Sequence, residues 1–211
     1  MASSFVAQVP IVINIIKHLG YKRILDVGKG FGKYGFLIHE YCGIDNREKL
    51  KTGVILKQQS KVRVDCVEID DDLFFPHLNH FYSNIYKSDI NNIYKDLIEY
   101  DLILMTDVIE HINKDNAIQI LKFYKENKLD VLITTPTDFF EQYLYQSKYE
   151  EHVSHWTLED FKKIGFNVNY QKVQAGGIYL LSNRQLRIPG FGNSLNKKIR
   201  RILRLIISEF S

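Results

Sequence analysis

The chain has two cysteines, Cys42 and Cys66, among 211 residues. So few thiols exclude a disulfide framework, no zinc-type cysteine pair exists, and a reducing cytoplasmic setting is expected. Proline is also scarce, with four in all, and no Pro/Gly linker, internal repeat or low-complexity tract divides the chain. Long apolar runs are missing too. Ile11-Val12-Ile13 and Leu102-Ile103-Leu104-Met105 fall far short of the roughly 20 residues that span a bilayer. Met1-Ala2-Ser3-Ser4-Phe5 has no basic stretch ahead of an apolar run, so no signal peptide is expected. The net charge of +3 is too small to imply nucleic-acid binding by itself, since that needs a concentrated basic face.

What is present is an ordinary globular composition, 45% hydrophobic and 25% charged, in a length that suits one domain with a full core. The apolar pattern alternates strand and helix, which implies an α/β fold with a mainly parallel sheet. Helical spacing of Val9, Val12, Ile13, Ile16 and Leu19 predicts a helix over 9–19, with Pro10 in its first turn. Strands are predicted at 22–28, 62–69, 82–87, 101–106 and 130–135, and further helices at 32–41, 114–127 and 157–164, the last capped by Thr157. An antiparallel pair, 166–173 and 177–183, is predicted around Ala175-Gly176-Gly177. Two polar or aromatic stretches, 43–60 and 137–156, interrupt the rhythm. Long connections at the C-terminal ends of strands often shape a ligand site.

The most informative segment is Ile24-Leu25-Asp26-Val27-Gly28-Lys29-Gly30-Phe31-Gly32. A strand, closely spaced glycines and then a helix bring backbone N–H groups and a helix N-terminus towards a ligand. A dinucleotide fingerprint would want a glycine at the sixth position from Gly28, where Lys33 stands. The glycines instead fall at 28, 30 and 32, two residues after Asp26. An anionic pyrophosphate would not favour that aspartate, whereas a cationic ligand would.

Asp-x-Gly-x-Gly-x-Gly resembles motif I of the class I S-adenosylmethionine (SAM)-dependent methyltransferases. Val67-Glu68-Ile69-Asp70, Ser88-Asp89-Ile90, Asp107-Val108-Ile109-Glu110-His111 and Thr134-Thr135-Pro136 continue the resemblance in order, over about residues 20–183. It implies a Rossmann-like three-layer sandwich with a seven-stranded, mostly parallel sheet and an antiparallel C-terminal hairpin. It also implies SAM as methyl donor. Asp26, Gly28, Gly30 and Gly32 would wrap its amino-acid part, Glu68 would accept from the ribose hydroxyls and Asp89 from the adenine amino group. Asp107 would stand near the substrate-facing region.

His152-Val153-Ser154-His155-Trp156-Thr157 lies past the fifth strand, where an acceptor should bind. His111, His152 and His155 are candidates for a general base that takes the acceptor's proton. A metal is the alternative. Asp107, Glu110 and His111, with His152 or His155, resemble the Glu-x-x-Glu-His plus His set of small-RNA 2′-O-methyltransferases, which holds a divalent ion. A purely structural reading also stands, in which Glu110 and His111 cap the following helix and His155 packs on Trp156. An oxygen of a small molecule or sugar is the expected acceptor, with an RNA ribose or a non-catalytic SAM-binding module as alternatives. Residues 1–190 are expected to form the methyltransferase domain and 191–211 a basic amphipathic helix. That helix offers peripheral membrane contact or packing on the domain or on a second subunit, so a monomer or homodimer fits.

Overall fold

The computed structural model describes residues 6–44, 56–138 and 149–191. The helical turns at the start pass into helix α1 (Val9–Leu19), with Pro10 in its first turn and Gly20 as a left-handed C-cap donating to Ile16 O. Strand β1 (Arg23–Val27) leads through the glycine loop into α2 (Lys33–Ile38), which runs on as a π-helical stretch, His39–Gly43. The helical turn α3 (Leu56–Gln59) precedes β2 (Arg63–Glu68), and β3 (Ile85–Lys87) precedes the short α4 (Ile90–Ile93). Then come β4 (Leu102–Thr106), α5 (Lys114–Glu126), β5 (Asp130–Pro136), α6 (Leu158–Ile164), β6 (Asn167–Val173) and β7 (Gly176–Ser182).

The seven strands form one sheet in the order β3-β2-β1-β4-β5-β7-β6. Pairings from β3 through β5 are parallel, and β7 is antiparallel to both β5 and β6. Strand residues alternate between two cores. Leu25, Ile103, Met105 and Val131 face α5 and α6, while Ile24, Val64, Leu104 and Leu132 face α1 and α2. The sheet is therefore the middle of three layers, and its central strands are buried along their length, as parallel strands covered on both faces must be. The chain goes from β1 out to β2 and β3 and returns to β4 on the other side. The C-terminal ends of β1 and β4 thus flank the switch point where α/β sheets open a crevice.

Two sequence expectations are corrected. The β6–β7 turn is Gln174-Ala175, with Gln174 left-handed, and Gly176 and Gly177 belong to β7. Gly177 packs there, since a Cβ on it would meet the Tyr179 ring at 2.5 Å. The N-cap of α5 is Asn113, whose side chain accepts from Asp115 N, not Glu110 or His111. At α6 the expected Thr157 cap is completed by Asp160 as a reciprocal capping box. The C-terminal helix expected over 191–211 lies outside the described residues beyond Phe191. No described helix is long and apolar enough to cross a membrane.

The segment before α6 is fastened to the turn after β4. Val153 N and Ser154 N both donate to Glu110 O, at 2.9 and 3.0 Å. Ser154 Oγ donates to Ile109 O at 3.0 Å and accepts from Trp156 Nε1 at 2.9 Å. Trp156 stacks on Phe161, with ring centres 5.2 Å apart, under the Lys114 ammonium. Ser154→Ala leaves a buried indole N–H without its acceptor and takes one of two donors from Ile109 O, which keeps the N–H of Ile112. Urea denaturation is expected to register a loss of about 1–3 kcal/mol, and an unchanged midpoint would show that the hydroxyl fastens nothing.

Candidate functional site

The turn after β1 needs glycine for reasons of shape. Gly28, Gly30 and Gly32 are all left-handed, with φ of 68°, 53° and 82°. At Gly28 a Cβ would also lie 2.4 Å from Val108 Cγ2, and at Gly32 it would lie 2.6 Å from Leu78 Cδ2. The loop therefore lies flat against the turn after β4 and against the segment before β3.

A cleft opens at the C-terminal edge of the sheet. Gly28, Gly30, Glu68, Asp89, Asp107 and His111 line it, together with Tyr149 and Glu150. Six of the predicted site residues thus converge, from the ends of β1, β2, β3 and β4. Asp26, Gly32, His152 and His155 are not among the lining residues. Asp26 lies beneath the loop, 1% exposed. His155 Nε2 is 3.1 Å from Thr137 O, and Trp156 stacks on Phe161.

Each acid in the cleft is held. Glu68 Oε2 accepts from Gly30 N at 3.1 Å, and Oε1 accepts from Ile69 N and Asp70 N at 3.0 and 3.1 Å. Asp89 caps α4 through Oδ1, which accepts from Asn91 N at 2.9 Å. Asp107 has a left-handed backbone, φ 54°, fixed by its N–H on Thr134 O and by Thr134 Oγ1 donating to Oδ1, both at 2.9 Å. Its Oδ2 is buried and has no hydrogen-bond partner among the described residues.

Asp26 carries a second oxygen of this kind. Tyr82 OH donates to Oδ2 at 2.6 Å, while Oδ1 is buried and unpartnered among the described residues. Burial pushes the Asp26 carboxyl up to about 7, against the pull of Tyr82, and the negative field of Glu68 adds to the rise. Lys33, at the start of α2, has its pKa lowered by burial and partly sustained by Asp107 and Asp26.

His111 Nδ1 is 2.9 Å from Glu151 O. A carbonyl only accepts, so Nδ1 carries the hydrogen and Nε2 keeps a lone pair. The His152 ring centre is 5.1 Å from that of His111. Glu110, His111 and His152 bring one ligand atom each to within 4.8 Å of one another. Glu110 is buried, its Oε2 has no partner among the described residues, and burial beside Asp107 drives its carboxyl well above the usual range. A divalent ion fits such a set of one carboxylate and two imidazoles. Asp107, proposed from spacing as a fellow ligand, is not in this group of three.

Sequence reasoning passed over three residues. Tyr82 binds Asp26 from 56 positions away, Thr134 fixes Asp107, and Lys29 holds the glycine loop from behind. Only Thr134 had a local signal, as the end of a strand beside the cleft.

No family model and no curated protein matches this sequence. Solved structures do. An O-methyltransferase family protein from Burkholderia thailandensis aligns with 85% of this chain at 8% identity and a TM-score of 0.52, and this chain spans 57% of that one. The methyltransferase domain of bacterial CtHen1 aligns with 83% of this chain and 96% of its own, at 15% identity and a TM-score of 0.55. The N-terminal domain of EvdMO1, solved with SAH and D-fucose, aligns with 87% of this chain and 85% of its own, at 10% identity and a TM-score of 0.57. The chain has the Rossmann-like fold of the class I SAM-dependent methyltransferases.

The Asp26 burial predicts a pH dependence. Its folded pKa of about 7 exceeds the ordinary 3.8, so between those values the folded state holds a proton that the unfolded chain has lost. Stability from this group is full below the lower value, falls as pH rises through the upper one and is then constant. Unfolding free energies of wild type and Asp26→Asn, measured from pH 4.5 to 8 (about the window set by that shift), should diverge as pH rises, with the wild type losing ground. Parallel profiles would refute the burial argument.

Proposed function

We propose that this chain is a SAM-dependent methyltransferase that methylates an oxygen of a small molecule or sugar. One observation carries the reading: five carboxylates, Glu68, Asp89 and Asp107 among them, line a single cleft beside a left-handed glycine loop at the switch point of the sheet. Such a cleft suits a ligand rich in hydrogen-bond donors and positive in charge, and SAM brings ribose hydroxyls, an adenine amino group, an ammonium and a sulfonium. In this role Glu68 receives ribose hydroxyls and Asp89 the adenine amino group. Asp107, with its unpartnered Oδ2, faces the cationic end, and Asp26 acts beneath the loop.

When bound, SAM supplies a methyl group on a good leaving group. The chain's own task is to align the acceptor oxygen in line with that methyl and to take its proton. His111 suits the second task best of the three candidate histidines. It lines the cleft, and its hydrogen on Nδ1 leaves Nε2 to accept the proton as the new O–C bond forms and the C–S bond breaks. His152 backs the His111 ring, and His155 is engaged with Thr137 O.

The Glu110–His111–His152 group supports a second reading, a divalent ion that binds the acceptor hydroxyls, with an RNA ribose as acceptor. The two readings use His111 Nε2 differently, since a lone pair bound to a metal cannot take a proton. Metal analysis, with turnover before and after chelation, separates them. Full activity in chelator with no bound ion leaves His111 as base, and a stoichiometric ion whose removal abolishes turnover favours the metal.

Titration calorimetry with SAM and with its demethylated product S-adenosylhomocysteine tests the donor. Glu68→Gln is expected to weaken both about 10–100-fold, the worth of hydrogen bonds to a charged acceptor. No heat with either compound would sink the cofactor assignment. Binding without turnover over a broad panel of acceptors would point to a non-catalytic SAM-binding module.

A further inference from the structure

Lys29 stands between two glycines of the loop, yet it is not among the residues that line the cleft. Its side chain is buried behind the loop, 5% exposed. There Nζ donates to the loop's own Gly30 O at 3.2 Å and to Leu73 O at 2.7 Å, and sits 4.5 Å from the centre of the Phe74 ring. Gly30 and Leu73 both line the cleft, as does Glu68, which takes the Gly30 N–H. The N–H of Gly30 is thus tied to the end of β2 and its carbonyl to the segment that follows.

Burying an ammonium is costly unless its hydrogens and its charge are matched. Here two carbonyls and an aromatic face match it, and the carboxylates of Glu68, Asp26 and Asp70 oppose the fall in pKa that burial causes. The loop so held has three glycines in succession at alternate positions, all left-handed. Glycine loses more freedom on ordering than any other residue, so this stretch has the least rigidity of its own. We propose that Lys29 is a positioning residue for the nucleoside half of the cofactor. Its ammonium fixes the spacing of Gly30 and Leu73, and with it the width of the cleft beside Glu68. This assignment rests on the methyltransferase reading above. Without the ammonium, two carbonyl oxygens lose their donor and the loop is no longer tied to the wall facing it.

The test is calorimetric titration of S-adenosylhomocysteine and of 5′-methylthioadenosine, which lacks the amino-acid part, into the full chain. Wild type, Lys29→Met and Lys29→Arg are compared, with circular dichroism and melting as controls for the fold. Lys29→Met is expected to weaken both ligands by a similar factor, about tenfold or more, in a protein that still melts cooperatively. Lys29→Arg, which keeps charge and donors on a wider head, should recover part of the loss. Unchanged affinity in Lys29→Met overturns the assignment, as does a loss confined to S-adenosylhomocysteine, which would put Lys29 at the amino-acid end. If Lys29→Met does not fold, Phe74→Leu removes the ring face against the ammonium. It should weaken both ligands about twofold or more, and unchanged affinities would again overturn the assignment. A wild type that binds neither ligand overturns the methyltransferase reading and this assignment with it.

Discussion

A buried hydrogen bond between Tyr82 and Asp26 organises the centre of this molecule. Asp26 lies in the middle of the sheet's C-terminal edge, out of reach of solvent, with the neutral hydroxyl of Tyr82 donating to its Oδ2. A carboxylate in that position is tolerated because the phenol sits 2.6 Å away and is itself held, accepting from Gly35 N at 3.3 Å. The ring that delivers the hydroxyl must pass between the glycine loop and α2. That passage explains two glycines at once. A Cβ at Gly35 would lie 2.5 Å from the Tyr82 ring, and one at Gly32 would meet Leu78 and then the same ring at 3.3 Å. The glycines that resemble a ligand-wrapping motif therefore serve packing as well as backbone conformation. The first turn of α2, the segment before β3 and the end of β1 are fixed by one side chain.

A second fastening sets the histidine side of the cleft. The carbonyl of Glu110 receives the N–H groups of Val153 and Ser154, and the Ser154 hydroxyl reaches Ile109 O. These bonds bring the chain back from β5 across the turn after β4. They set His152 beside His111 although the two are 41 positions apart. Buried backbone groups in an irregular turn must find partners somewhere. Here the partners come from the returning segment, so the histidine pair follows from backbone bookkeeping that no local motif records.

Much of this was legible in the sequence. The elements of the sheet followed from apolar period and punctuation. The loop and the acids at 68, 89 and 107 were picked out by their resemblance to the methyltransferase motifs, and they converge on one cleft because a parallel sheet puts its strand ends on one edge. What was not legible depends on sequence-distant partners. Tyr82 reads as one tyrosine among 13, and nothing near it indicates a carboxylate 56 positions earlier. Lys29 reads as the variable residue between two glycines. Glu110 and His111 sit where caps are common, but Asn113, one step before α5, has the shorter side chain that reaches Asp115 N. The Gln174-Ala175 turn was missed because two glycines beside it gave the stronger signal. Gly177 is needed inside β7, where the Tyr179 ring folds back on it.

The distribution of charge around the loop bears on what the cleft can hold. Carboxylates dominate the charged groups that line it, Glu68, Asp70, Asp89, Asp107 and Glu150, while Lys29 and Lys33 are absent from its lining. Lys29 spends its hydrogens on carbonyls behind the loop, and Lys33 is half-buried under the influence of Asp26 and Asp107. The cations thus temper the mutual repulsion of the carboxylates from the protein side without presenting positive charge to a ligand. An anionic group entering the cleft meets carboxylates first, and a cationic one is drawn by the same field. With low-dielectric walls around it, such a field is stronger than the same charges would make in water. The loop geometry alone would serve a phosphate equally well; the acids along the cleft and the burial of Lys29 behind the loop set its preference for positive charge.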